Sequence, residues 1–174
     1  MVITVFGSGR CTKDSQEYEL ARSLGRELAG AGFTVCNGGY GGVMEAAARG
    51  AKDAGGKTIG ITVESFGPPN RWIDREIPTK TLMERLVKLI ETGNGYVVLR
   101  GGTGTLLELS AVWELFNKGM MVRKPVIVFS PFWSPLVSMM RKELSSEGKE
   151  EAANLPIEVS TVGDCVRQLT RLLG

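Results

Sequence analysis

With 174 residues, 43% hydrophobic and 23% charged, the chain has a globular composition and the length for one domain, residues 1–174, with a substantial core. A formal net charge of +2 is too small to imply nucleic acid or a membrane surface as a partner, so any anion specificity must be local. Histidine is absent, which excludes Ser-His-Asp hydrolysis, Cys-His proteolysis and histidine-ligated metal chemistry as self-contained mechanisms. Cys11, Cys36 and Cys165 are odd in number and widely spaced, with no CxxC pair, which predicts a reduced, cytoplasmic protein without a metal site. Met1 runs directly into an apolar stretch, and no export signal is expected.

In chain order, Val2 to Phe6 reads as a first strand and Ser15 to Ala31 as an amphipathic helix, with Leu20, Leu24 and Leu28 on one face and Gly32 ending it. A strand at Thr34 to Cys36 and a small, alanine-rich helix at Val43 to Ala54 follow, then a strand at Thr58 to Thr62. Val63 to Pro78, with Gly67-Pro68-Pro69-Asn70 and the charged Arg71, Asp74, Arg75 and Glu76, reads as a loop, either a rim or lid over a ligand or a plain long connection. Lys80 to Thr92 is helical, Gly95 to Leu99 a strand, Thr105 to Lys118 a helix and Pro125 to Phe129 a strand. Trp133 to Ser145 and Val162 to Leu173 are covering helices, Ile157 to Val159 is a short sixth strand, and Ser145 to Glu151 is a polar turn. This alternation predicts an α/β protein, a three-layer Rossmann-like open parallel sheet with helices on both faces.

Three glycine-rich turns stand out: Gly7-Ser8-Gly9-Arg10, Asn37-Gly38-Gly39-Tyr40-Gly41-Gly42, and Arg100-Gly101-Gly102-Thr103-Gly104-Thr105. Each follows an apolar run and opens a helical pattern. A backbone without Cβ atoms can approach a phosphate closely, and a helix N-terminus supplies donors and partial positive charge. In a doubly wound sheet the loops after the first and fourth predicted strands converge, although about 90 residues separate them in sequence.

The arrangement is neither of two familiar nucleotide motifs. A dinucleotide fingerprint needs GxGxxG and an acid after the second strand, where this chain has Arg10-Cys11-Thr12 and Asn37-Gly38. A P-loop needs a lysine that neither later loop has. A compact mononucleotide or sugar-phosphate site remains, with Arg85 and Glu108 as its charged candidates.

Gly101-Gly102-Thr103-Gly104-Thr105-Leu106-Leu107-Glu108 and Gly38-Gly39-Tyr40-Gly41-Gly42-Val43-Met44-Glu45 resemble the two glycine motifs of the LONELY GUY family, also described as lysine decarboxylase-like. Arg85, fifteen residues before Arg100, matches the family arginine, and the resemblance runs from Val5 to about Pro125. It implies a phosphoribohydrolase that cleaves the N-glycosidic bond of nucleoside 5′-monophosphates, AMP or cytokinin ribotides among them, to base and ribose 5-phosphate. It assigns catalysis to Arg85 and Glu108, and phosphate or nucleotide binding to Gly7, Ser8, Gly38, Gly39, Gly42, Met83, Gly101, Gly102, Thr103, Gly104 and Thr105. It also implies a homodimer and no cofactor. Lysine decarboxylation would need a pyridoxal phosphate Schiff base, for which no lysine here has a recognisable setting.

The chemistry of the side chains points the same way. Breaking the glycosidic bond develops positive charge at the anomeric carbon, which an ionised Glu108 could stabilise while orienting water. Arg85 offers a planar fork of donors to a phosphate or ribose oxygen, and its proximity could keep Glu108 ionised. Three departures bear on substrate choice: Arg100 where many members have proline, Glu84 where many have histidine, and Asn37 where a third glycine is common. Arg100 is either a phosphate contact or a surface charge, and Tyr40 either stacks on a base or fills a gap. The alternative function is a carrier that binds a nucleotide or molybdenum cofactor in the same pocket without chemistry.

Overall fold

Short runs of β-branched and aromatic residues form the strands of the computed structural model, which describes residues 1–174. They are β1 (Val2–Phe6), β2 (Thr34–Asn37), β3 (Thr58–Val63), β4 (Arg75–Thr79), β5 (Gly95–Val98), β6 (Val126–Phe129) and β7 (Pro156–Val159). All pairings are parallel, in the order β4-β3-β2-β1-β5-β6-β7. The helices are α1 (Gln16–Gly30), α2 (Val43–Asp53), α3 (Leu82–Thr92), α4 (Thr103–Asn117), α5 (Ser134–Ser146), the short α6 (Glu150–Ala153) and α7 (Val162–Leu173).

One apolar cluster joins a sheet face to α1, α2 and α7, and a second joins the other face to α3, α4, α5 and α6. Fully buried strands such as β6, Val-Ile-Val-Phe, have apolar residues on both faces because helices cover both. The α1 and α2 helices approach closely through glycine. A Cβ at Gly25 would lie 2.0 Å from the Ala47 carbonyl oxygen, and one at Gly50 1.8 Å from that of Arg22.

Three elements differ from the sequence expectations. Val63 to Pro78 is not all loop: Glu64–Phe66 makes a 3-10 turn and Arg75–Thr79 forms β4, a seventh strand. Its charged, proline-containing sequence suits an edge, where one side of the backbone needs no partner. The predicted polar turn, Ser145 to Glu151, runs into α6, which begins at Glu150 and buries Ala152 and Ala153. The first glycine turn does not open a helix directly, since α1 begins at Gln16 behind an Ser15 cap whose hydroxyl accepts the Tyr18 N–H at 3.2 Å.

The sheet places the site. Chain progression runs outward from β1 to β4, then returns to β5 beside β1 and proceeds the other way, so the order reverses between β1 and β5. Their register, Phe6 opposite Val98, aligns their carboxyl ends, and the Ser8 N–H donates to the Arg100 carbonyl at 3.0 Å. The first and third glycine turns therefore converge at the reversal, where crevices in such sheets open.

Candidate functional site

A cavity of about 420 Å³ opens at this crevice, walled by Gly7 to Arg10 on one side and by Gly102 to Thr105 on the other. Gly102 is the N-cap of α4 and no side chain caps that end, so the first-turn N–H groups have no partner within the helix. Cβ atoms added at Gly102 or Gly104 would meet nothing within 4 Å. The wall at α4 is thus bare backbone at Gly102 and Gly104, interspersed with Thr103 and Thr105, and it carries free donors and the positive end of the helix dipole, a surface suited to an anion.

Arg85 enters the cavity from α3, on the buried side that also carries Leu86, Leu89 and Ile90. Its Nε donates to the Ile61 carbonyl at 2.8 Å, and Nη2 lies 3.6 Å from the Met44 sulfur. Its Cζ stands 5.7 Å from the Tyr40 ring centroid. The fourth side of this seat is an absence, since a Cβ at Gly38 would lie 1.4 Å from Nη2. With these contacts made, Nη1 is the end presented to Glu108, 3.8 Å from Oε1.

Glu108 reaches the same space from the second turn of α4, with 14% of its side chain exposed. Burial pushes its carboxyl up to about 7, while Arg85 pulls in the opposite direction. This corrects the expectation that Arg85 keeps Glu108 ionised: at 3.8 Å, outside hydrogen-bond distance, the attraction offsets only part of the desolvation. Near neutrality the carboxyl therefore divides between acid and carboxylate, the range useful for proton transfer.

The structure brings together Gly7, Ser8, Arg85, Gly102, Thr103, Gly104, Thr105 and Glu108 in the cavity wall. The second glycine turn supports that wall from behind. Gly39 and Gly42 have φ of +80° and +64°, and a Cβ at Gly42 would stand 2.4 Å from the Ser8 carbonyl oxygen. Gly38, Gly39 and Gly42 thus do not line the cavity; they let the backbone and Arg85 fit. Gly101 lines a neighbouring cleft, and a Cβ there would lie 2.1 Å from the Thr105 hydroxyl. Met83, 59% exposed, lies apart from the cavity in a groove with Ile77 and Val87, because it follows Leu82 at the outer start of α3.

Tyr40 does not line the cavity; its ring packs between Arg85 and Phe66. Its hydroxyl accepts the Val63 N–H at 2.8 Å and donates to the Val63 carbonyl at 3.0 Å. Arg100 is a surface charge, paired with Glu17 at 3.3 Å. Gly9, Arg10 and Met44 also line the cavity. Gly9 and Arg10 stand in the first turn and Met44 in the second motif, so the motifs held the signal, but only the fold shows which members face inward. The segment before β4 is a tethered rim: the Asn70 amide donates to the carbonyls of Gly39 and Tyr40 at 3.0 and 2.8 Å. No group of three His, Cys, Asp or Glu is placed to hold a metal ion.

The sheet reversal defines a Rossmann-like α/β protein with a cavity at its switch point. The profile of the SLOG cluster4 family matches residues 1–162, and the chain belongs to that family. It is 32% identical over 128 residues to an uncharacterized protein of Archaeoglobus fulgidus, covering 74% of this chain and 83% of that one. It is 33% identical over 118 residues to a cytokinin riboside 5′-monophosphate phosphoribohydrolase of Mycobacterium tuberculosis, covering 66% of this chain and 63% of that enzyme's length. Among solved structures, the molybdenum cofactor binding protein of Rippkaea orientalis superposes with a TM-score of 0.78 at 25% identity, over 99% of this chain and 97% of that one. The molybdenum cofactor carrier protein of Chlamydomonas reinhardtii gives 0.76 at 26% identity, over 99% and 98%. No helix is long and apolar enough to cross a membrane.

Proposed function

We propose that the protein is a nucleoside 5′-monophosphate phosphoribohydrolase that releases base and ribose 5-phosphate. The observation that carries this reading is a buried carboxyl facing a fixed guanidinium across a cavity whose other wall is an uncapped helix N-terminus. A phosphate held by the first-turn N–H groups of α4, beside Thr103 and Thr105, leaves the ribose over Glu108. As the glycosidic bond lengthens, positive charge grows on the anomeric carbon, and the Glu108 carboxylate stabilises it or takes a proton from attacking water. Nη1 of Arg85 donates to a ribose or phosphate oxygen and stays fixed through its other contacts. The ionised form of Glu108 does this work, so the rate should climb as pH rises through about 7.

The reading includes a homodimer. Leu82, Met83 and Val87 on α3 and Leu106 and Leu107 on α4 are exposed, with Met83 59% accessible, and a second copy would cover them. The alternative is a carrier using the same cavity without chemistry, favoured by the full-length likeness to molybdenum cofactor binding and carrier proteins.

Incubation with AMP, an N6-substituted AMP and the matching nucleosides, followed by separation of free base, tests the proposal. Base should appear from the monophosphates and not from nucleosides, and Glu108→Gln should slow release roughly 10²–10⁴-fold. Saturable ligand binding without release by the folded protein would select the carrier instead.

A further inference from the structure

A second cleft of about 470 Å³ lies on the other side of the first glycine turn, and Ser8 and Arg10 line both clefts. The third turn divides likewise, Gly102 facing the first cavity and Gly101 the second. Each volume is in the range of a small-molecule site, roughly 300–1,000 Å³, and the seam between them is only these two turns.

The second cleft has a built floor. Phe132 is 44% exposed, packed edge-on against Trp133 at 4.9 Å, and Trp133 is fixed by donation of its indole N–H to the Leu99 carbonyl at 3.0 Å. The Arg100 guanidinium lies over the Phe132 ring at 5.1 Å, while its pairing with Glu17 at 3.3 Å balances its charge. Lys13 engages Glu45 at 3.2 Å, so both nearby acids are occupied and Arg10 is left unpaired at the seam. The order of groups from the first cavity outward is therefore helix-terminal donors, a free cation, then a cation over an aromatic ring.

We infer that the two clefts form one site for a nucleotide extended on its 5′-phosphate by a second phosphate and a further ring system. This rests on the proposed placement of the first phosphate at the start of α4. The second phosphate meets Arg10 as it crosses the seam, and the distal ring stacks on the exposed plane of Arg100 above Phe132. The arginine at position 100 thus supplies a stacking surface at the boundary of the two clefts. The glycosidic bond over Glu108 is the same in short and extended ligands.

The test compares AMP, ADP and diadenosine 5′,5′-diphosphate, by kcat/KM for base release or by Kd where no base is released. In the unaltered chain the diadenosine compound should have a kcat/KM about tenfold above that of AMP, or a Kd about tenfold below it, with ADP between them. Phe132→Ala and Arg100→Gln, each at a position outside the first cavity, should erase that advantage and leave the AMP value unchanged. Equal or weaker use of the diadenosine compound, or an advantage that survives both substitutions, overturns the inference and leaves the monophosphate reading standing. Use of the diadenosine compound with no response to AMP overturns the monophosphate reading alone. Failure of all three ligands overturns both.

Discussion

The α1–α2 pair and the α3–α4 pair sit on opposite faces of the sheet and solve different problems. The first pair is closed: Gly25 and Gly50 allow its backbones to touch, and it contributes one side chain, Met44, to the cavity wall. The second pair brings Arg85 and Glu108, while Leu82, Val87 and Leu107 remain uncovered on its outer side. Rigidity and chemistry are thus carried by separate helices. The closed pair fixes the turns that form the cavity, and the open pair supplies the charges.

That separation can be broken by adding a methyl group in each region. Gly50→Ala should destabilise the chain by about 3 kcal/mol, because the new Cβ would meet the backbone of Arg22, which can relieve the overlap only by parting the helices. Chemical denaturation measures this, and activity per folded molecule should change little. Gly38→Ala should have the opposite profile. Its clash is with the flexible end of Arg85, so stability should stay within about 1 kcal/mol while base release falls roughly 100-fold as the guanidinium is displaced. Comparable losses of both properties in both variants would erase the distinction.

A smaller effect tests the electrostatics of the open pair. A carboxyl whose folded pKa is raised holds its proton more tightly in the folded chain, so its contribution is most favourable below its ordinary 4.5 and is lost as pH climbs to about 7. Glu108→Gln should therefore stabilise the protein at pH 8 by on the order of 1–2 kcal/mol, and by little at pH 4. Denaturation midpoints at the two pH values measure it. A variant less stable than the original at pH 8 would mean that the pairing with Arg85 outweighs the cost of burying the charge.

Six strands and the covering helices were legible because apolar runs bounded by glycine are a local signal, and the convergence of the first and third turns followed from the order of such a sheet. β4 was not legible, since Arg75, Glu76 and Pro78 satisfy an edge position by being unlike a central strand. Glu108 and Arg85 could be singled out through the family motif, and their burial beside each other is a tertiary fact. The direction of Glu108's pKa depends on a balance of desolvation against one charge at 3.8 Å, which no spacing in the sequence encodes. The role of Gly38 was hidden for the same reason: a glycine in a loop motif gives no sign of which side chain, 47 residues later, occupies the space left by its missing Cβ.

The tether at Asn70 has a mechanical consequence. Because its backbone N–H and side-chain amide both hold the second glycine turn, the rim cannot swing away without pulling on Gly39 and Tyr40. Those residues flank the seat of Arg85, with Gly38 immediately before them and the Tyr40 ring against the guanidinium. Widening the mouth and unseating the arginine are accordingly a single displacement. A ligand that pries the rim open meets a disarmed site, and one that fits beneath it finds the charges already aligned.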